Sequence, residues 1–167
     1  LVLMAIFNGI GQGIQPLVSR CCGAGELDRS RRVYRDALLT GEGIALLTYG
    51  VIFLLAGPIA GAFNGEGNAQ LQAIASQGLR LYFLALPFAA YNAISALYHS
   101  AVDRPERAFF ISILRGFVLI LPLAFLMAWQ WGMAGVWLAF PAAEGGTAQL
   151  ALLPGGRRRG REPKRER

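Results

Sequence analysis

Long apolar runs alternate with short charged intervals along this chain. Residues 1–19 carry no full charge, and neither do 43–65 or, with His99 counted as neutral, 81–102. A fourth uncharged run, 116–143, is too long for one membrane crossing and too short for two, since a bilayer core takes about 20 helical residues. Gln130-Trp131-Gly132 divides it: a short polar, flexible turn edged by Trp129 and Trp131, as expected at a membrane interface. The pattern predicts five transmembrane helices over about 1–19, 39–63, 79–102, 107–129 and 133–153. Pro16, Pro58, Pro87, Pro122 and Pro141 fall inside these segments, and membrane helices tolerate them. Helices of a soluble core show a polar face and caps, which these runs mostly lack. The expected fold is an all-α membrane protein, a bundle of five transmembrane helices. Residues 68–76 read either as an interfacial helix or as an early start of the third span. Residues 154–167 read as a basic, disordered cytoplasmic tail.

Composition sharpens this picture. Apolar residues make up 54% of the 167 residues and charged residues 16%, against roughly a quarter charged in a soluble domain. The net charge of +6 belongs to loops and tail. Arg20, Arg29, Arg31, Arg32 and Arg35 mark the first loop, Arg104 and Arg107 the third, and seven basic residues from Arg157 to Arg167 the tail. The second loop holds no Lys or Arg before Arg80, and the fourth is the bare Gln-Trp-Gly turn. Positive loops stay in the cytoplasm, so residue 1 is expected outside and the C-terminus inside the cell (inner) membrane. Basic residues in loops and aromatics in apolar runs give no nucleic-acid groove. The chain begins inside an apolar run without an initiator Met, which reads as a truncated N-terminus.

Chemistry-bearing motifs are scarce. Adjacent Cys21 and Cys22 provide no disulfide framework, and beside Arg20 they read as small packing residues rather than reactive thiols. His99 is the single histidine, so no zinc site is expected. Gly9-Ile-Gly11-Gln-Gly13 mimics a dinucleotide loop but follows no strand and lies in an apolar helix. No nucleophile–base set, carboxylate pair or phosphate loop is present; the chain reads as no enzyme and as needing no cofactor or metal.

The helix faces say more. Asn8, Gln12, Gln15 and Ser19 fall within a wedge of about 60° at 100° per residue, with Gly9, Gly13 and Pro16 beside it. Amides facing lipid cost several kcal/mol each, so this wedge faces protein or water. Two readings stay open: hydrogen bonding between helices next to a Gly9–Gly13 contact, or the wall of a hydrated cavity. In the third span Tyr91, Ser95 and Tyr98 share a wedge, extended by Asn92 and His99, with Pro87 one turn earlier permitting a bend. A tyrosine-rich, weakly polar wall suits an amphipathic, cationic organic molecule. Asn8, Gln12, Gln15, Tyr91, Asn92 and Ser95 are the substrate-path candidates. Tyr98 and His99 read as interfacial or satisfied residues near the cytoplasmic end. Arg115 lies about 12 Å beyond Arg107 by helical rise, and Glu144 lies at similar depth in the next span. A lone intramembrane charge is expensive and a pair much less so, so Arg115 and Glu144 are expected to approach one another as a structural ion pair.

One set of motifs resembles a known family. Gly13-Ile-Gln15-Pro16-Leu-Val-Ser19, followed by Gly23-Ala24-Gly25 and the arginine-bearing segment 29–35, resembles an element of multidrug and toxic compound extrusion (MATE) transporters. Leu79-Arg80, Pro87-Phe88, Ser112-Ile-Leu-Arg115 and Gly135-Val-Trp137-Leu-Ala-Phe-Pro141-Ala-Ala-Glu144 agree in order and spacing. The resemblance implies the partial second lobe of a twelve-helix, two-lobed transporter, its partners being the bilayer, the missing N-terminal lobe and small organic, cationic substrates. It implies secondary active multidrug efflux by alternating access, an antiporter driven by a proton or sodium gradient, H+ or Na+ being the coupling ion. The third span carries no Asp or Glu, and no coupling residue is transferred. Past Thr147 the sequence departs from the family's usual continuation. Alternatives are a lipid-linked precursor flippase of the same broad fold group or a non-transporting membrane scaffold. A flippase needs a cluster of cavity-facing arginines for pyrophosphate, where only Arg115 serves, and a scaffold needs no polar wedge.

Overall fold

The computed structural model describes residues 2–65, 67–102 and 104–152, and all of its regular structure is helical. The helices are α1 (Val2–Gly23), α2 (Leu27–Phe63), α3 (Ala69–Tyr82), α4 (Leu86–Ala101), α5 (Pro105–Ile113) and α6 (Ile120–Leu152). A 3₁₀ turn, Phe83–Ala85, joins α3 to α4, and a π-helical turn, Leu114–Val118, joins α5 to α6. The tail from residue 154 lies outside the described residues.

Four helical stretches are long and apolar enough to cross a membrane: Val2–Gly23, Leu27–Phe63, Ala69–Ala101 and Pro105–Leu152. The last holds 48 residues but is not one rod. Gly132 leaves the helical region at φ 56°, and a Cβ on Gly135 would run into the Met127 carbonyl. Arg115 and Glu144 are roughly thirty residues apart, a separation of about 45 Å along a straight helix. Their charged atoms nevertheless lie 3.1 Å apart. The chain therefore doubles back at Gly132, and Trp129 and Trp131 are exposed beside the turn.

The first interhelical link differs from the sequence expectation. Residues 20–35 are not a loop: α1 runs to Gly23 and α2 starts at Leu27, leaving residues 24–26 and a left-handed Gly25 (φ 75°) as the turn. The arginine-rich segment is the water-exposed beginning of a 37-residue helix, about 55 Å long. Arg29 pairs with Glu26 at 3.2 Å and Arg31 with Asp28 at 3.4 Å. A helix emerging from lipid keeps its hydrogen-bond ladder, so loss of apolar periodicity does not end it. Residues 68–76 begin the third membrane stretch: the Asn68 side chain caps α3, accepting from the Gln70 and Leu71 amides at 2.9 and 3.2 Å.

Helix α4 sits at the centre, packed against α1, α2, α5 and α6. The contacts are close because they are made by small residues, including Ala45, Ala89, Ala90, Ala93 and Ala143, the usual device where lipid supplies no hydrophobic drive between helices. Gly11 meets Leu97, Gly41 meets Ile94, and a Cβ on Gly78 would stand 2.7 Å from the Trp137 ring. Gly9 and Gly13 meet nothing within 4 Å. The close approach of α1 to its neighbours therefore runs through Gly11, not through Gly9 and Gly13, because the buried stripe is Phe7, Gly11, Val18 and Cys21.

One polar knot ties the bundle together. Arg115 Nη2 lies 3.1 Å from Glu144 Oε1. The Asn92 amide of α4 donates to Glu144 Oε2 at 2.7 Å and to the Glu144 carbonyl at 2.9 Å. Glu144 is 2% exposed and Asn92 fully buried. Thr147 bonds back to the Ala143 carbonyl one turn earlier.

Two outcomes test this packing. Gly78→Leu should destabilise the protein by about 1–3 kcal/mol through overpacking against Trp137, whereas Gly13→Ala should leave melting in detergent unchanged; scanning fluorimetry separates them. Glu144→Ala strands a largely buried guanidinium and should cost about 3–5 kcal/mol, while Arg115→Met combined with Glu144→Leu should recover most of that loss, read as a double-mutant cycle of melting temperatures.

Candidate functional site

The exposed surface of α1 has two unlike sides. Measured by about 100° per residue from the buried Phe7–Gly11–Val18 stripe, Ile6, Ile10 and Leu17 lie about 60–100° to one side. Asn8, Gln12, Gln15 and Ser19 lie about 80–140° to the other, continuing into Ala5, Gly9 and Pro16. Asn8 and Gln12 are exposed and Gln15 is half-buried. The Ser19 hydroxyl donates to the Ala101 carbonyl at 3.3 Å, where α1 meets the end of α4. None of the three amides has a hydrogen bond to another helix of this chain among the described residues. A helix in lipid has no reason to carry amides on one flank of its free surface and isoleucine and leucine on the other, unless the two flanks meet different media.

The third-span candidates divide differently. Asn92 and Ser95 are buried inside the bundle, Asn92 on Glu144 and Ser95 on the Tyr34 hydroxyl at 2.7 Å. The Tyr34 ring stacks on Tyr98 with centroids 4.0 Å apart and planes 14° from parallel. Tyr91 is half-buried. Tyr98 and half-buried His99 close the same end, and His99 Nδ1 has no hydrogen-bond partner. Sequence reasoning placed Asn92 and Ser95 on the right helix, but α4 is central and both side chains are spent on neighbouring helices. Arg115 and Glu144 are brought together and join Asn92, with Glu144 and Asn92 buried and Arg115 partly so.

Two residues outside the substrate-path candidates belong to this picture. Tyr34 sits in the segment read as a loop, and helical continuation is what brings it against α4. Arg80 was placed at the end of the second loop; α3 begins at Asn68, so Arg80 lies about 18 Å along the helix. Its guanidinium carbon stands 5.2 Å from the centroid of the Phe53 ring. The capping asparagine at 68, ahead of the helix-compatible 69–82, was the available signal.

Among the described residues no cluster of His, Cys, Asp or Glu is arranged to hold a metal ion. Glu144 is the single buried acid among them, already held by Arg115 and Asn92. Cys21 and Cys22 are free thiols, and Cys22 contacts the Ser30 hydroxyl at 3.7 Å.

The comparisons with known proteins agree with this architecture. The sequence matches the family profile MatE over residues 1–126. No curated protein sequence matches the chain. Among solved structures, it is similar to the Vibrio cholerae MATE transporter VcmN in the bent form, with a TM-score of 0.75 and 23% identity over 84% of this chain and 32% of that one. A mutant of the same Vibrio cholerae transporter gives a TM-score of 0.76, with 23% identity over the same shares of each chain. The chain thus spans about a third of the length of these solved relatives. With the profile covering three quarters of its residues, this multi-pass membrane chain belongs to the MatE family.

Proposed function

We propose that this chain forms part of a secondary active exporter of organic cations and drugs, an antiporter driven by a proton or sodium gradient and working by alternating access. It works in the cell (inner) membrane, with the arginine-rich start of α2 and the C-terminus on the cytoplasmic side. The observation that carries this reading is the divided free surface of α1. Its amide flank fits a water-filled path shared with the remainder of the transporter, and its isoleucine and leucine flank fits lipid. Asn8, Gln12 and Gln15 form the wall of that path, joined by Tyr91. Asn92 and Ser95 support the wall from behind by locking α4 to α6 and α2.

The rate-relevant chemistry is binding and conformational exchange, with no bond made or broken. Amide and phenol groups bind weakly and in several orientations, which suits a site that must release what it binds. Coupling requires a group that changes charge or ligation between states. Glu144 is held by a guanidinium and an amide, which favours a structural role for it over a coupling one. A pyrophosphate flippase is disfavoured, because Arg115 is committed to Glu144.

Cysteine scanning tests the wall. Asn8→Cys and Gln12→Cys, in a background with Cys21 and Cys22 replaced by serine, should react with a membrane-impermeant thiosulfonate and be protected by ethidium. Ile6→Cys and Leu17→Cys should remain unlabelled. Equal labelling of both flanks would remove the reading. Gln12→Leu should lower ethidium efflux from energised cells several-fold, with surface expression unchanged.

A further inference from the structure

We infer that Arg80, lying over the Phe53 ring, forms an anion-recognising subsite at mid-membrane, so that molecules handled on this face carry a carboxylate beside their apolar body. The inference rests on the proposed transport reading and narrows its substrate class.

Depth comes first. Phe53 lies ten residues beyond the start of the uncharged run 43–65 and twelve before its end, about 15 Å or more from either side. The Arg80 guanidinium carbon is 5.2 Å from that ring, which puts the positive charge near the middle of the apolar layer. Helix pairing agrees: the Gln72 amide of α3 donates to the Gly57 carbonyl of α2 at 2.7 Å, one turn nearer the Asn68 end than Phe53.

Exposure comes next. Arg80 is on the surface of this bundle and Phe53 is 45% exposed. Among the described residues no carboxylate pairs with Arg80, whereas Arg29, Arg31, Arg35 and Arg115 are each paired. A guanidinium turned to lipid at this depth is expensive. Arg80 does not stand alone. Gln70, Ala73, Gln77 and Arg80 are all exposed, and at i, i+3, i+7 and i+10 they share a wedge of about 80°. Leu81 and Ile74 lie about 20–40° beyond Gln70 and Leu71 about 100° beyond it, so exposed apolar residues border this wedge. The free surface of α3 is therefore mixed, with Gln70, Gln77 and Arg80 as its polar positions beside Ala73, Leu71 and Ile74.

The chemistry of the pair selects the ligand. The guanidinium carbon stands over the Phe53 ring at cation–π distance, and among the described residues no acceptor takes a hydrogen bond from the guanidinium's N–H donors. That planar fork matches a carboxylate by two parallel hydrogen bonds, and the ring offers an apolar surface for the body of the same molecule. A single guanidinium is too little for a pyrophosphate. The ligand class is an aromatic or amphiphilic carboxylate, including zwitterions whose cationic end meets the tyrosines.

The test compares rhodamine B, which carries a carboxylate, with its methyl ester, using the whole protein purified in detergent and fluorescence polarisation as readout. Arg80→Gln should weaken rhodamine B binding about tenfold or more and change ester binding less than twofold. Arg80→Lys should retain part of the preference, and Phe53→Leu should weaken the carboxylate probe without abolishing it. Equal weakening of both probes, or of neither, overturns the subsite; equal weakening with a lowered melting temperature identifies Arg80 as a partner of a protein carboxylate instead. Where Arg80→Gln does not fold, the Lys and Phe53→Leu variants decide on the same criterion. Gln77→Cys, in the cysteine-free background, separates the two levels. Labelling by an impermeant thiosulfonate together with no probe discrimination sinks the subsite alone, whereas no labelling sinks the wet-path reading of this face.

Discussion

A polar side chain inside a hydrocarbon layer has to be met by protein or by water, and most of what is distinctive in this chain follows from how it satisfies that requirement. Two solutions coexist. The interior solution is the knot of Arg115, Glu144 and Asn92, where charge meets charge and an amide accounts for the second carboxylate oxygen. The peripheral solution is the amide flank of α1, whose Asn8, Gln12 and Gln15 bond to no other described helix, together with Arg80 of α3, which meets only the Phe53 ring; their cost disappears against water or another part of the protein.

The interior knot explains why α4 is central. Asn92 reaches α6 while Ser95, one turn on, reaches Tyr34 of α2, and the buried Ala89, Ala90 and Ala93 of the same helix allow the backbones to approach. The π-helical turn at Leu114–Val118 carries Arg115; such turns shift a side chain's direction along a helix. Here the shifted residue is the one that meets Glu144. A rigid core of this kind lets the outer faces of α1 and α3 keep their positions without contributing to folding.

Much of this was legible in the residues. Uncharged runs of membrane length announced an all-α membrane bundle because hydrocarbon tolerates little else. The depth of Arg115 and Glu144 follows from helical rise alone, and the amide wedge of α1 from counting residues around the helix. The extent of α2 was not legible, because its first turns are charged and exposed and stay helical through their own backbone bonds. For α3 the residues left two readings, an interfacial helix over 68–76 or an early start of the third span, because its first turns are polar; the continuous run from Ala69 decides for the second.

The sequence by itself determined the class of structure, the medium it lives in and which side chains are too polar for lipid, since these depend on composition and on the fixed geometry of the α-helix. Tertiary structure decided which of those side chains look inward and which outward. Asn92 and Gln12 are both amides on apolar helices, yet one is sealed on Glu144 and the other is exposed. The difference lies in the helices that pack around each, and helical periodicity assigns residues to a face without saying what that face meets.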